Sequence, residues 1–267
     1  MIEAYLEPWL AERSGGCGRE TVTLKVACLP ESTVEERILP AYAELGRENI
    51  TVLASPGDIR VRATAEGPEP ERRRRLAAMS QRLAGLIGDA LYTQREEDTL
   101  EAVVGDLLRK AGATLATAES CTGGLVSERV TRVAGSSDYF LGGAVTYSNE
   151  LKTSLAGVPA ELLVVHGAVS EAVARAMAEG VRRSLGSDFG IGITGVAGPG
   201  GGTQEKPVGT VHIALGGPAR AGAEGGDNET EHRKVRFPGD RERVRWHASQ
   251  LALEMLRRRL LGIPVRS

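Results

Sequence analysis

TLATAESCTGG, residues 114–124, is the stretch whose reading decides the fold. TLATA (114–118) reads as a strand. A helix is predicted to start near Cys121 and to close at Gly135, so a strand feeds directly into a helix. That is the repeating step of an α/β sheet.

The same alternation continues on both sides. Upstream, a helix is predicted from about Thr99 to Lys110, with Gly112 at the left-handed position that ends it. Downstream, residues 139–147 read as a strand. Short helices are expected at 149–156 and 160–165, and a longer one runs from the N-cap Ser170 to Leu185. FGIGIT (189–194) is a buried strand, followed by a glycine-dense loop from Gly195 to Gly202. GTVHIAL (209–215) and EHRKVRF (231–237) read as a hairpin with a long glycine-rich connection. A last helix from Asp240 should turn Val244, Leu251, Met255 and Leu256 inward. The expected architecture is a three-layer α/β/α domain with a mixed sheet.

The first ninety residues follow another rhythm. TVTLKVACL (21–29) alternates like a half-buried strand. Ser32-Thr33-Val34-Glu35 has the form of a capping box opening a helix toward Leu45. ITVLAS (50–55) and IRVRATA (59–65) flank the turn signal Pro56-Gly57-Asp58. Leu76, Met79, Leu83, Leu86, Ile87, Ala90 and Leu91 recur at helical spacing behind the run Arg72–Arg75, which reads as a solvated face. The order β-α-β-β-α describes a small α+β domain. The polar run TQREED (93–98) marks the boundary. Residues 1–19 are expected to be a linker-like segment, 20–95 the small domain and 96–267 the large one.

Composition narrows the function. The 267 residues carry 33 basic and 35 acidic side chains, a net charge of −2, which argues against a duplex or an anionic membrane as the main partner. Aromatics at 4% argue against a stacking platform for single strands. Cys17, Cys28 and Cys121 form no CxxC pair, so neither a disulfide framework nor a zinc ribbon is expected. No apolar run approaches a bilayer span, and MIEAYLEPWLAERSGG is unlike a signal peptide, so a cytoplasmic location is expected. His166, His212, His232 and His247 lack ligand spacing, and no metal or cofactor is expected.

Four segments have the residue types for chemistry. In Glu119-Ser120-Cys121-Thr122-Gly123-Gly124, a serine at a helix start lies among unpaired amides suited to an oxyanion or phosphate. From spacing alone the plainer reading, an N-cap serine with glycines that merely pack, comes first. In Tyr147-Ser148-Asn149-Glu150-Leu151-Lys152, a desolvated lysine would accept a proton from a serine nucleophile, whereas a solvated lysine would do nothing. Only five of the 33 basic residues are lysines, which gives Lys152 slightly more weight. Gly195-Val196-Ala197-Gly198-Pro199-Gly200-Gly201-Gly202-Thr203 would wrap a phosphate or ribose, or be a simple loop. Asp240 caps the last helix, and Arg241 behind it would clamp an anion or form a surface ion pair. The GxxG at Gly15-Gly16-Cys17-Gly18 precedes the first strand, not a helix pair, and is discounted as a nucleic-acid clamp.

The string TLATAESCTGGLVSERVTRVAGSSDYFLGGAVTYSNELK, followed by GAVSEAVA, GITGVAGPGGGT and KPVGTVHIAL, closely resembles the C-terminal domain of the CinA competence/damage-inducible family. Residues 20–92, with LPESTVEERILP, resemble that family's KH-type domain. The N-terminal molybdopterin-binding-like domain of the long form has no counterpart, and its pyrophosphatase activity is not expected. The resemblance implies a nicotinamide mononucleotide deamidase with Ser120 as nucleophile, Lys152 as base and Tyr147 orienting or relaying between them. It implies substrate contacts from Cys121, Thr122, Gly123, Gly124, Thr194, Gly195, Gly198, Gly200, Gly201 and Arg241, and a homo-oligomer. The competing expectations are another amide or ester substrate for Ser120 and Lys152, and a CinA-like nucleotide-binding or competence/repair scaffold without the activity. Nucleic-acid binding through the small domain ranks third.

Overall fold

The computed structural model describes residues 17–218 and 228–264. The chain divides into two compact units between Asp98 and Thr99.

In the first unit, β1 (Cys17–Ala27), α1 (Glu31–Leu45), β2 (Ile50–Ser55), β3 (Asp58–Pro68), α2 (Glu69–Ile87) and β4 (Leu91–Thr93) follow in order. The sheet is antiparallel, in the order β2-β3-β1-β4. Pro56-Gly57 closes the β2–β3 hairpin, with Ser55 paired to Asp58 and Gly57 at φ 73°. Leu24, Val26, Val34, Ile38, Val61, Met79, Leu83 and Ile87 join sheet and helices in one core.

Three expectations are corrected here. The capping box does not form: α1 starts at Glu31 behind Pro30, with no side-chain cap, and Ser32 lies inside the first turn. Pro30 already has the extended backbone that a cap needs. Glu35 turns instead to the Tyr42 hydroxyl. Ala90 and Leu91 do not extend α2, which ends at Ile87 before Gly88 at φ 69°. Leu91 opens β4, a strand of three residues, too short for alternation to be seen. Of the linker-like segment and the GxxG run, residues 1–16 lie outside the described residues, whereas Cys17, Gly18 and Arg19 belong to β1.

The second unit contains α3 (Leu100–Ala111), β5 (Leu115–Glu119), α4 (Leu125–Thr131), β6 (Phe140–Val145), α5 (Asn149–Ala156), α6 (Ala160–His166), α7 (Glu171–Leu185), β7 (Phe189–Gly195), β8 (Thr210–Pro218), β9 (Asn228–Arg236) and α8 (Arg241–Leu260). Its sheet order is β6-β5-β7-β8-β9: β5 runs parallel to β6 and β7, and β8 and β9 are antiparallel additions. Helix α7 packs across β5, β7 and β8, with α5 and α6 against it; α3, α4 and α8 form the other helical layer. The fold is α/β with a mixed sheet between two helical layers. Thr99, Ser170 and Asp240 cap their helices through their side chains, and Gly112 is left-handed at the end of α3.

Two further corrections bear on the site. Helix α4 starts at Leu125, not near Cys121, because Gly123 and Gly124 hold φ of 61° and 91°, which a helix interior does not accept. Ser120 is therefore not a helix cap. On α8, Leu251 is only half-buried, and Leu253 takes the core position beside Val244, Ala248, Met255 and Leu256. Both hairpin strands run longer than expected, and residues 219–227 of their connection lie outside the described residues.

Candidate active site

The parallel strands β6, β5 and β7 end side by side, and ligands of α/β sheets bind at such carboxyl ends. Backbone bonds join the three exits. The Ser120 amide donates to the Ile193 carbonyl at 2.9 Å, and the Thr146 amide donates to the Glu119 carbonyl at 2.8 Å. Ser120 is thus held against the ends of both neighbouring strands.

Lys152 arrives on the first turn of α5, which Ser148 caps by accepting from the Leu151 amide. Lys152 is 2% exposed. Nζ donates to Ser120 Oγ at 3.1 Å and to the Thr146 carbonyl at 2.9 Å. Burial pulls the Lys152 pKa below that of an ordinary lysine, which moves it toward the neutral amine that a proton acceptor must be. Cys121 beside it moves the other way: burial pushes its thiol up to about 12, so the neighbour of Ser120 stays protonated.

The pair opens into a cleft of about 250 Å³. Cys121, Thr194, Gly195 and Arg241 line it with Ser120, Tyr147 and Lys152. Tyr147 is 58% exposed, and its hydroxyl accepts from Arg241 Nη2 at 2.7 Å. Among the described residues its hydroxyl has no bond to Ser120 or Lys152, so the ring stands at the cleft wall and not between the two. Arg241 also donates through Nη1 to the Gly198 carbonyl at 2.8 Å, joining the Tyr147 loop to the glycine-rich loop. Thr194 donates to the Ala168 carbonyl at 2.7 Å.

The glycines divide by position. A Cβ on Gly195 would press on Thr210 and Val211, and one on Gly198 would strike Val208, so both permit close packing of the β7–β8 connection. Gly200 and Gly201 are exposed and lie outside the cleft lining. Gly123 and Gly124 form the turn behind Ser120, and Thr122 within it is fully buried.

Asn149, Ala168, Val169 and Ala197 also line the cleft, and the sequence reading assigned them nothing. Asn149 lies inside the YSNE run and was open to discovery there. Ala168 and Val169 carry no chemical signal; they are small residues before α7 that the Thr194 bond draws in. Among the described residues, no cluster of three or more His, Cys, Asp or Glu side chains could hold a metal ion.

Comparison with known proteins covers both units. The CinA C-terminal domain profile matches residues 97–260, and the profile of the damage-inducible protein CinA KH domain matches 21–93. A CinA-like protein of Acidobacterium capsulatum is 47% identical over 262 residues, which is 98% of this chain and 61% of that protein. One from Koribacter versatilis is 45% identical over 90% of this chain and 56% of its own length. The chain therefore spans about three-fifths of the length of these curated relatives.

Among solved structures, the competence/damage inducible protein CihA from Agrobacterium tumefaciens matches with TM-score 0.54 and 40% identity, over 59% of this chain and 91% of that one. A CinA superfamily protein from Klebsiella pneumoniae matches with TM-score 0.55 and 37% identity, over 61% and 96%. With the profile of the larger domain matching more than half of this chain, the chain belongs to the CinA family.

Proposed function

We propose that the second unit hydrolyses the carboxamide of nicotinamide mononucleotide, giving nicotinate mononucleotide and ammonia. The observation that carries this reading is the buried Lys152 amine 3.1 Å from Ser120 Oγ, both in the lining of one cleft. A serine hydroxyl needs a base within hydrogen-bond reach, and a desolvated lysine is one that needs no histidine.

In this reading neutral Lys152 takes the Ser120 proton as Oγ attacks the carboxamide carbon. The carbonyl oxygen becomes an oxyanion held by the Cys121 and Thr122 amides, which donate no backbone hydrogen bond among the described residues. The tetrahedral species collapses, the C–N bond breaks, and the amine leaves as ammonia with the proton from Lys152. Water then adds to the acyl-serine, giving its proton to Lys152, and collapse releases the carboxylate and restores Ser120. Arg241, set by Tyr147 and Gly198, would face the nucleotide end. No metal has a step in this scheme.

The test is ammonia and nicotinate mononucleotide release from nicotinamide mononucleotide in the presence of chelator. Turnover by the wild type and its loss in both Ser120→Ala and Lys152→Ala is the expected result. A folded wild type that releases no ammonia overturns the reading.

A further inference from the structure

Helix α8 reaches the site twice. Arg241 grips the glycine-rich loop, and Arg245, one turn later on the same face, grips the loop that carries Ser120. Arg245 donates to the Thr122 carbonyl through Nε at 3.1 Å and Nη2 at 2.8 Å, and the Leu125 amide adds a third donor at 3.4 Å. Arg245 is not part of the cleft lining.

Within the loop, the Gly123 amide donates to the Ser120 carbonyl at 3.1 Å. Gly123 and Gly124 offer no side chains and both lie at positive φ. Thr122 is fully buried, yet its hydroxyl has no hydrogen-bond partner. The anchoring of Thr122 therefore falls on its carbonyl, where a planar guanidinium supplies two charge-assisted donors. Fixing that carbonyl fixes the Thr122–Gly123 peptide plane, and with it the backbone next to the Cys121 and Thr122 amides. Two arginines a turn apart repel one another on a helix, and here each is turned onto a carbonyl.

We infer that Arg245 is a positioning residue for amide hydrolysis: it acts through the Thr122 carbonyl to aim the Cys121 and Thr122 amides at the developing oxyanion. This rests on the deamidase reading for its substrate but not for its geometry. Because the oxyanion exists only after attack, loss of Arg245 affects kcat and spares KM.

The experiment compares Arg245→Ala, Arg245→Gln and Arg245→Lys in the full chain with wild type and the exposed control Glu242→Ala. Each is assayed for ammonia release and for the rate at which a fluorophosphonate probe labels Ser120, displacing fluoride. Arg245→Ala is expected to lower kcat by about 10- to 100-fold, somewhat less than removal of an oxyanion donor itself. KM should stay within about twofold, and the rise of activity with pH should keep its midpoint. Lysine should recover part of the loss. So should added guanidinium ion, at concentrations that leave the thermal midpoint unchanged. A kcat within twofold of wild type, or a raised KM with unchanged kcat, overturns the inference. If the wild type releases no ammonia, the deamidase reading fails and probe labelling decides: slower labelling in Arg245→Ala upholds positioning, and equal labelling removes it. Should the alanine variant not fold, the lysine and glutamine variants carry the same comparison.

Discussion

Lys152 is the residue on which the proposed chemistry turns, and its burial sets the pH dependence. The amine accepts a proton only when neutral, and desolvation lowers its pKa from the ordinary 10.5. Activity should therefore rise with pH through a midpoint below 10.5 and level off above it, read from log kcat/KM against pH; a midpoint at or above 10.5 would contradict a desolvated base. Lys152→Arg tests the same point, since guanidinium remains charged across this range. It should lose about 10²- to 10⁴-fold in kcat, the usual contribution of a general base, and lose the rise with pH. Cys121 gives the opposite expectation. With its thiol at about 12, it should resist alkylation at pH 8 while the exposed Cys17 reacts, which peptide mass mapping would resolve.

At the scale of elements, short connections deliver the side chains, and close packing fixes the connections. The Glu119 carboxylate ends β5 fully buried and accepts from the Val126 and Ser127 amides and the Ser127 hydroxyl, at 2.8–3.1 Å. It occupies the start of α4, which is why that helix end offers nothing to a ligand. Glu119→Gln would set an amide NH₂ against N–H donors. It should cost about 1–3 kcal/mol in denaturant unfolding, the range for stranded buried polar groups. Helices α5 and α7 meet at Gly180, where a Cβ would lie 1.6 Å from the Ala156 carbonyl. Gly180→Ala must push α5 away, and α5 carries Lys152. Overpacking of this kind costs about 1–3 kcal/mol or more, so both stability and kcat should fall; a variant with wild-type values would show that α5 adjusts freely.

The whole molecule is two units, and every residue of the cleft belongs to the second. The matched structures from Agrobacterium tumefaciens and Klebsiella pneumoniae are more than nine-tenths covered by an alignment over about 60% of this chain. A chain of residues 99–267 is therefore expected to fold cooperatively and to keep the kcat of the full chain within about threefold, since the first unit supplies no lining residue. Loss of activity in a well-folded fragment would assign the first unit a part in catalysis.

Much of the second unit was legible in the sequence because its signals are local. Helical spacing, the caps Ser170 and Asp240, and Gly112 after α3 act within one turn, so a short window holds all the needed information. The same locality misled at Ser32, where Pro30 had already started the helix, and at Cys121, where two left-handed glycines postponed it to Leu125. Strand β4 escaped because three residues show no period, and only its pairing with β1 defines it. The Ser120 and Lys152 motifs were recognised, but their meeting across 32 residues depends on β5 and β6 ending side by side. Tyr147 and Arg241 meet across 94 residues, and Arg245 and Thr122 across 123. The sequence by itself determined most of the elements, the family and the residue types available for chemistry. Which side chains touch, and which of them is buried enough to change its proton affinity, was decided only by sheet order and helix packing, because distance and desolvation are properties of the assembled chain.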